Sequence, residues 1–134
     1  MERTYRGSCH CGDVRYDADI DLQAGTSKCN CSICTKMRSW NVLIKPDAFR
    51  LLSAEDTLLE YRFGTMAGRY FFCKYCGIHL FSRANIENLG GEIVSVQLAT
   101  LDDADPEELA DAPIHFADGR NDNWAHPPAE TRHL

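Results

Sequence analysis

Apolar and polar residues alternate along this chain in short stretches. Glycines, prolines and cysteines end the stretches before any reaches helical length. Residues 14–20 (VRYDADI) change side at nearly every step, the period of a strand with one buried face. Residues 58–63 (LLEYRF) do the same and stop at Gly64, while 40–44 (WNVLI) are aromatic and branched and run toward Pro46. Residues 68–73 (GRYFFC) and 77–82 (GIHLFS) flank a tight Cys-Lys-Tyr-Cys turn, and 92–98 (EIVSVQL) follow Gly90-Gly91. Helical signals are few. Residues 102–109 set acidic side chains and Pro106 where a first turn wants them, and 47–52 offers room for a second helical turn. About seven short strands predict a mainly β fold. Without an internal repeat or linker, residues 1–134 read as a single domain, with its core over about 4–126 and a polar tail at 127–134.

Composition narrows the possible functions. A chain of 134 residues, 44% hydrophobic and 25% charged, has enough apolar material for a modest core and is not a disordered chain. Its net charge of -6 argues against a nucleic-acid or anionic-membrane partner, because phosphate binding needs a basic surface. Residues 1–6 (MERTYR) contain no apolar run of the kind a secretion signal uses, and the longest aliphatic run, Val42-Leu43-Ile44, is far short of a membrane span. The expected location is the cytoplasm. Thiols stay reduced there, so clustered cysteines point to metal or redox chemistry rather than disulfides.

The cysteines are clustered. Seven of them fall into two close pairs, Cys9/Cys11 and Cys73/Cys76, and one triplet, Cys29/Cys31/Cys34. Cysteines two apart point the same way in an extended segment, and Cys-x-x-Cys around a turn aims both sulfurs at one ion. Gly12 and Gly77 follow the pairs and suit the positive φ of such turns. Two pairs make a closed four-thiolate site, the structural kind; three ligands leave one position open, the kind at which chemistry happens. Sulfur-rich sites select zinc, copper(I) or iron, and the four-plus-three count fits zinc best. The triplet has other readings: an iron–sulfur cluster with one borrowed ligand, a redox or metal-storage site, or a second structural site closed by a histidine. The histidine candidates are His10, His79, His115, His126 and His133, with His79 best placed, close behind the Cys73/Cys76 turn. Trp40, Tyr70, Phe71 and Phe72 read as core. Lys36, Arg38, Arg69 and Arg83 are cations near the cysteine blocks that could meet a carboxylate ligand.

Three blocks in order carry a resemblance: residues 7–12 (GSCHCG), 29–34 (CNCSIC) and 72–77 (FCKYCG), joined by 97–103 (QLATLDD), 113–116 (PIHF) and Trp124. Together they resemble the glutathione-dependent formaldehyde-activating enzyme family, which also includes centromere protein V. The likeness spans about residues 4–126. It implies a small zinc-stapled β fold of short antiparallel strands in two or more sheets. By family pattern Cys9, Cys11, Cys73 and Cys76 would hold a structural zinc, and Cys29, Cys31 and Cys34 a catalytic one, the more exposed and labile of the two. The implied activity is that of a carbon–sulfur lyase acting on a small thiol and a small aldehyde, glutathione and formaldehyde in the family's name. The alternative is a non-catalytic zinc-stapled binding module of the same fold.

Overall fold

The computed structural model describes residues 1–134. Its strands, in chain order, are β1 (Arg3–Ser8), β2 (Arg15–Ile20), β3 (Thr26–Cys29), β4 (Trp40–Ile44), β5 (Phe49–Leu51), β6 (Leu58–Tyr61), β7 (Arg69–Cys73), β8 (His79–Ile86), β9 (Gly91–Gln97) and β10 (Ile114–Ala117). They form two sheets. The smaller has the order β1-β2-β5, the larger β10-β3-β4-β9-β8-β7-β6. Neighbours are antiparallel except β10 and β3, which run parallel from Ile114 opposite Thr26 to Ala117 opposite Cys29. Two short helices complete the chain, α1 (Ser32–Met37) and α2 (Pro106–Asp111). No helix is long and apolar enough to cross a membrane.

The alternation in β2 buries Tyr16, Ala18 and Ile20 and turns Arg15, Asp17 and Asp19 outward. Gly7 stands opposite Tyr16 in β1, and a Cβ on Gly7 would meet the Tyr16 ring at 2.0 Å, so only glycine fits there. The Tyr16 hydroxyl then reaches Thr100 at 2.6 Å. From Tyr16 a chain of rings crosses between the sheets: Tyr16 to Phe49 at 5.1 Å, Phe49 to Phe81 at 4.5 Å, Phe81 to Phe71 at 4.9 Å. Val42, Leu80, Val94 and Val96 of the large sheet complete the same core. Each such side chain contributes about 1.5–3 kcal/mol by leaving water.

The mainly β reading and the two-sheet arrangement hold. Predicted strands at 14–20, 40–44, 58–63, 68–73 and 92–98 match β2, β4, β6, β7 and β9 to within a residue or two at each end. The strand expected at 77–82 starts later and runs on as β8 to Ile86, because Arg83, Ala84 and Asn85 pair with β9 although Arg83 and Asn85 are polar. The helical turn expected over 102–109 is α2, with Pro106 in its first turn and Glu108 accepting from the Asp105 backbone N–H at 2.9 Å. Of the room for a helical turn over 47–52 the chain uses only the start: a 3₁₀ turn at Pro46–Ala48 leads into β5, which carries Phe49 into the core. The segment 131–134 lies against β3 and α1: Lys28 Nζ donates to the Leu134 carbonyl at 3.2 Å and Arg38 donates to that of His133 at 3.3 Å.

Candidate metal centres

The two cysteine pairs meet although five whole strands, β2 to β6, lie between them in the chain. Cys9 and Cys11 lie in the turn after β1, where Cys9 N–H bonds to the Val14 carbonyl and Gly12 takes φ 86°. Cys73 ends β7, and Gly77 at φ 77° turns the chain back toward β8. All four sulfurs lie within 4.8 Å of one another. Cys9 and Cys11 Sγ are 3.6 Å apart, as are Cys11 and Cys73 Sγ. Zinc–sulfur bonds of about 2.3 Å in a tetrahedron put sulfurs about 3.8 Å apart, so the spacing fits one ion. Backbone N–H groups of Val14, Tyr75 and Cys76 point at Cys9 and Cys73 sulfurs at 3.3–3.4 Å, the donors that thiolates want. Cys9 and Cys73 are buried, so an ion here would sit at the edge of the core.

The triplet is built on a strand end and a helix start. Cys29 closes β3, Cys31 is the N-cap residue of α1, and Cys34 lies in that helix. Cys31 N–H points at Cys29 Sγ at 3.3 Å and Cys34 N–H at Cys31 Sγ at 3.5 Å. These three sulfurs also lie within 4.8 Å of one another, and no histidine nitrogen joins either set at that spacing. Their ionisation is mutually constrained. Hydrogen bonds from Cys29 and Cys34 push the Cys31 thiol far below its usual range, while Cys31 pushes Cys29 up and Cys29 and Cys31 together push Cys34 up. A divalent ion is what lets all three ionise together. The donor set fits a metal with one position left for another ligand.

The histidine-closed alternative meets an obstacle at His79. Its two ring nitrogens are buried and unpartnered, and burial lowers its pKa to about 4. It is 6.2 Å from the Tyr70 ring and belongs to neither sulfur cluster. His115 bonds instead to the Trp124 carbonyl at 3.0 Å. The cations expected near the metal blocks divide as well. Lys36 is exposed on α1, and Arg38 caps that helix and bonds to His133. Arg69 and Arg83 stand opposite each other on β7 and β8, on the Phe71 and Phe81 side of the sheet. They line a groove of about 640 Å³ there, with Arg69 held by Glu60 at 2.7 Å. Tyr70 takes the other side of β7.

Five residues at the triplet were given no role there by the sequence reading: Tyr70, Asn30, Asp118, Gly119 and Arg120. Tyr70, read as core, is half-buried beside the triplet; burial and the charges of Cys34, Cys31 and Cys29 push its hydroxyl up to about 12. The loop after β10 docks on the triplet through Asn30, whose Nδ2 donates to Asp118 at 2.8 Å and whose Oδ1 accepts from the Arg120 N–H at 3.0 Å. A Cβ on Gly119 would come within 2.6 Å of both Cys29 Sγ and the Trp124 ring. The only advance signal was Asn30 itself, a polar residue locked between two ligand cysteines.

A sequence model described as glutathione-dependent formaldehyde-activating enzyme matches residues 4–117. The chain is also similar in fold to the crystal structure of a Rhodobacter sphaeroides protein. The two are 26% identical with a TM-score of 0.68, over 82% of this chain and 99% of that one.

Proposed function

The chain belongs to the glutathione-dependent formaldehyde-activating enzyme family, and from that premise we propose that it is a zinc-dependent, carbon–sulfur lyase-like enzyme. It joins glutathione or a similar thiol to formaldehyde or another small aldehyde. The observation that carries the reading is the unequal pair of sulfur clusters, four cysteines in one and three in the other. In this reading Cys9, Cys11, Cys73 and Cys76 hold a structural zinc. A zinc held by Cys29, Cys31 and Cys34 would keep one position for the substrate sulfur and supply its deprotonation.

The protein's own residues do the rest. Cys29, Cys31 and Cys34 fix where the substrate sulfur arrives, and the Asn30–Asp118 bond keeps the covering loop in place. In the reaction the sulfur bonds to the aldehyde carbon, the carbonyl π pair moves to oxygen, and the thiol proton ends on the new hydroxyl. Tyr70 keeps its proton at neutral pH and is the donor available to that oxygen. Reduced thiols are a condition of this chemistry, and a cytoplasmic location supports the reading.

Zinc content and product formation test the reading together. We expect wild type to load two zinc ions and to form the hydroxymethyl thioether faster than the uncatalysed reaction, and Cys31→Ser to load one and add nothing to the uncatalysed rate. Tyr70→Phe should keep both ions and be slower by about a hundredfold. Product formation at the wild-type rate by Cys31→Ser overturns the assignment.

A further inference from the structure

We propose that Arg120 binds a carboxylate of the incoming thiol, so that the triplet takes carboxylate-bearing thiols such as glutathione ahead of neutral ones. The inference rests on the thiol–aldehyde reading above and names the substrate class of that same site.

Arg120 is held at the triplet from two directions. Its backbone N–H donates to Asn30 Oδ1 at 3.0 Å and its Nε donates to the Asn30 carbonyl at 3.1 Å, on the peptide between Cys29 and Cys31. Asn30 is buried and bonded in turn to Asp118, so this anchor is rigid. The guanidinium is left with both Nη groups free and exposed. Asp118, two residues before it, is not its ion-pair partner: its carboxylate is taken by Asn30 at 2.8 Å and by Asn121 at 2.9 Å. A free Nη pair fixed at its Nε end is the fork that a carboxylate accepts two bonds from.

Electrostatics gives the fork a purpose. Three thiolates on a divalent ion already make the triplet net negative, and a substrate thiolate adds to that. A thiol that also carries a carboxylate needs a cation at the rim to approach. Of the other cations nearby, Lys28 is committed to the Leu134 carbonyl and Arg38 to that of His133, while Lys36 stands exposed on α1 with no bond to orient it. Gly119 and Trp124 complete the wall on the Cys29 side, with Trp124 54% exposed and offering an aromatic face to the body of the ligand.

The test reads ligand binding without turnover. Protein loaded with Co²⁺ in place of zinc is titrated with glutathione, mercaptoacetate and 2-mercaptoethanol, following the absorption change as a thiolate joins the metal. In Arg120→Gln we expect glutathione and mercaptoacetate to bind about tenfold more weakly and 2-mercaptoethanol to change by less than about twofold. Arg120→Lys, which keeps the charge but not the fork, should fall between. Equal weakening of all three thiols would mean that Arg120 only props the loop, and unchanged affinities would mean that it does nothing; either overturns the inference. A spectrum that no thiol moves in wild type overturns the proposed function and this inference with it.

Discussion

His79 shows what a single residue costs when it is buried without a partner. Its two ring nitrogens are shut from solvent and unbonded, and desolvation lowers its pKa from 6.5 to about 4. The unfolded chain therefore takes the proton first as pH falls. Stability from this group is complete above pH 6.5 and is lost between 6.5 and 4, by about 3 kcal/mol in all. Urea unfolding of metal-loaded protein across that range should show the loss, and His79→Phe should remove this part of the slope. A variant with the wild-type slope would place the proton elsewhere. At this scale the sulfur ligands were legible in the sequence because cysteine spacing is local. Tyr70, Gly119 and Arg120 were not, because nothing near them in sequence says that they face residues 29–34.

Among elements, α2 is held less by its own turns than by one carboxylate. Glu108 accepts from the Asp105 backbone at 2.9 Å, from Arg3 at 3.1 Å and from the Tyr5 hydroxyl at 2.9 Å, joining the helix start to β1. Those bonds, the Asp105 one first, bring its pKa down to about 2. Because the folded value lies below the ordinary 4.5, the stabilisation is present above pH 4.5 and lost on the way to pH 2. Glu108→Ala should melt a few degrees below wild type at neutral pH, with the gap closing over that acid range and zinc content unchanged. The helix was legible through Pro106 and its acidic first turn. β3 and β10 were not: Thr26–Cys29 (TSKC) is polar, and its parallel partner Ile114–Ala117 lies more than eighty residues away, beyond the reach of any local period. α1 was missed for another reason, since Ser, Cys and Thr are weak helix formers and Cys31 caps a helix that the ligand loop needs.

For the molecule as a whole the two sulfur clusters have unequal structural weight. The four-cysteine site ties the turn after β1 to the turn after β7, joining the two sheets at the edge of their shared core, where Cys73 is fully buried. The triplet ties only the end of β3 to the start of α1. We expect Cys73→Ser to lower stability by more than about 3 kcal/mol and Cys31→Ser by less than about 1 kcal/mol, measured by chemical denaturation of zinc-loaded protein. Equal losses would mean that both clusters staple the fold.

The parallel pairing of β10 with β3 has a consequence for how the molecule comes into being. A ribosome delivers residues in order, and N-terminal parts begin to fold first. Both cysteine pairs are out once residue 76 is made, so the staple between the sheets can close early. The triplet has its cysteines by residue 34, yet the strand beside β3 and the loop carrying Arg120 arrive only with residues 114–124. During synthesis the cysteines of the scaffold therefore precede the full surroundings of the triplet, and a nascent chain that stalls before β10 would leave β3 as an unpaired sheet edge.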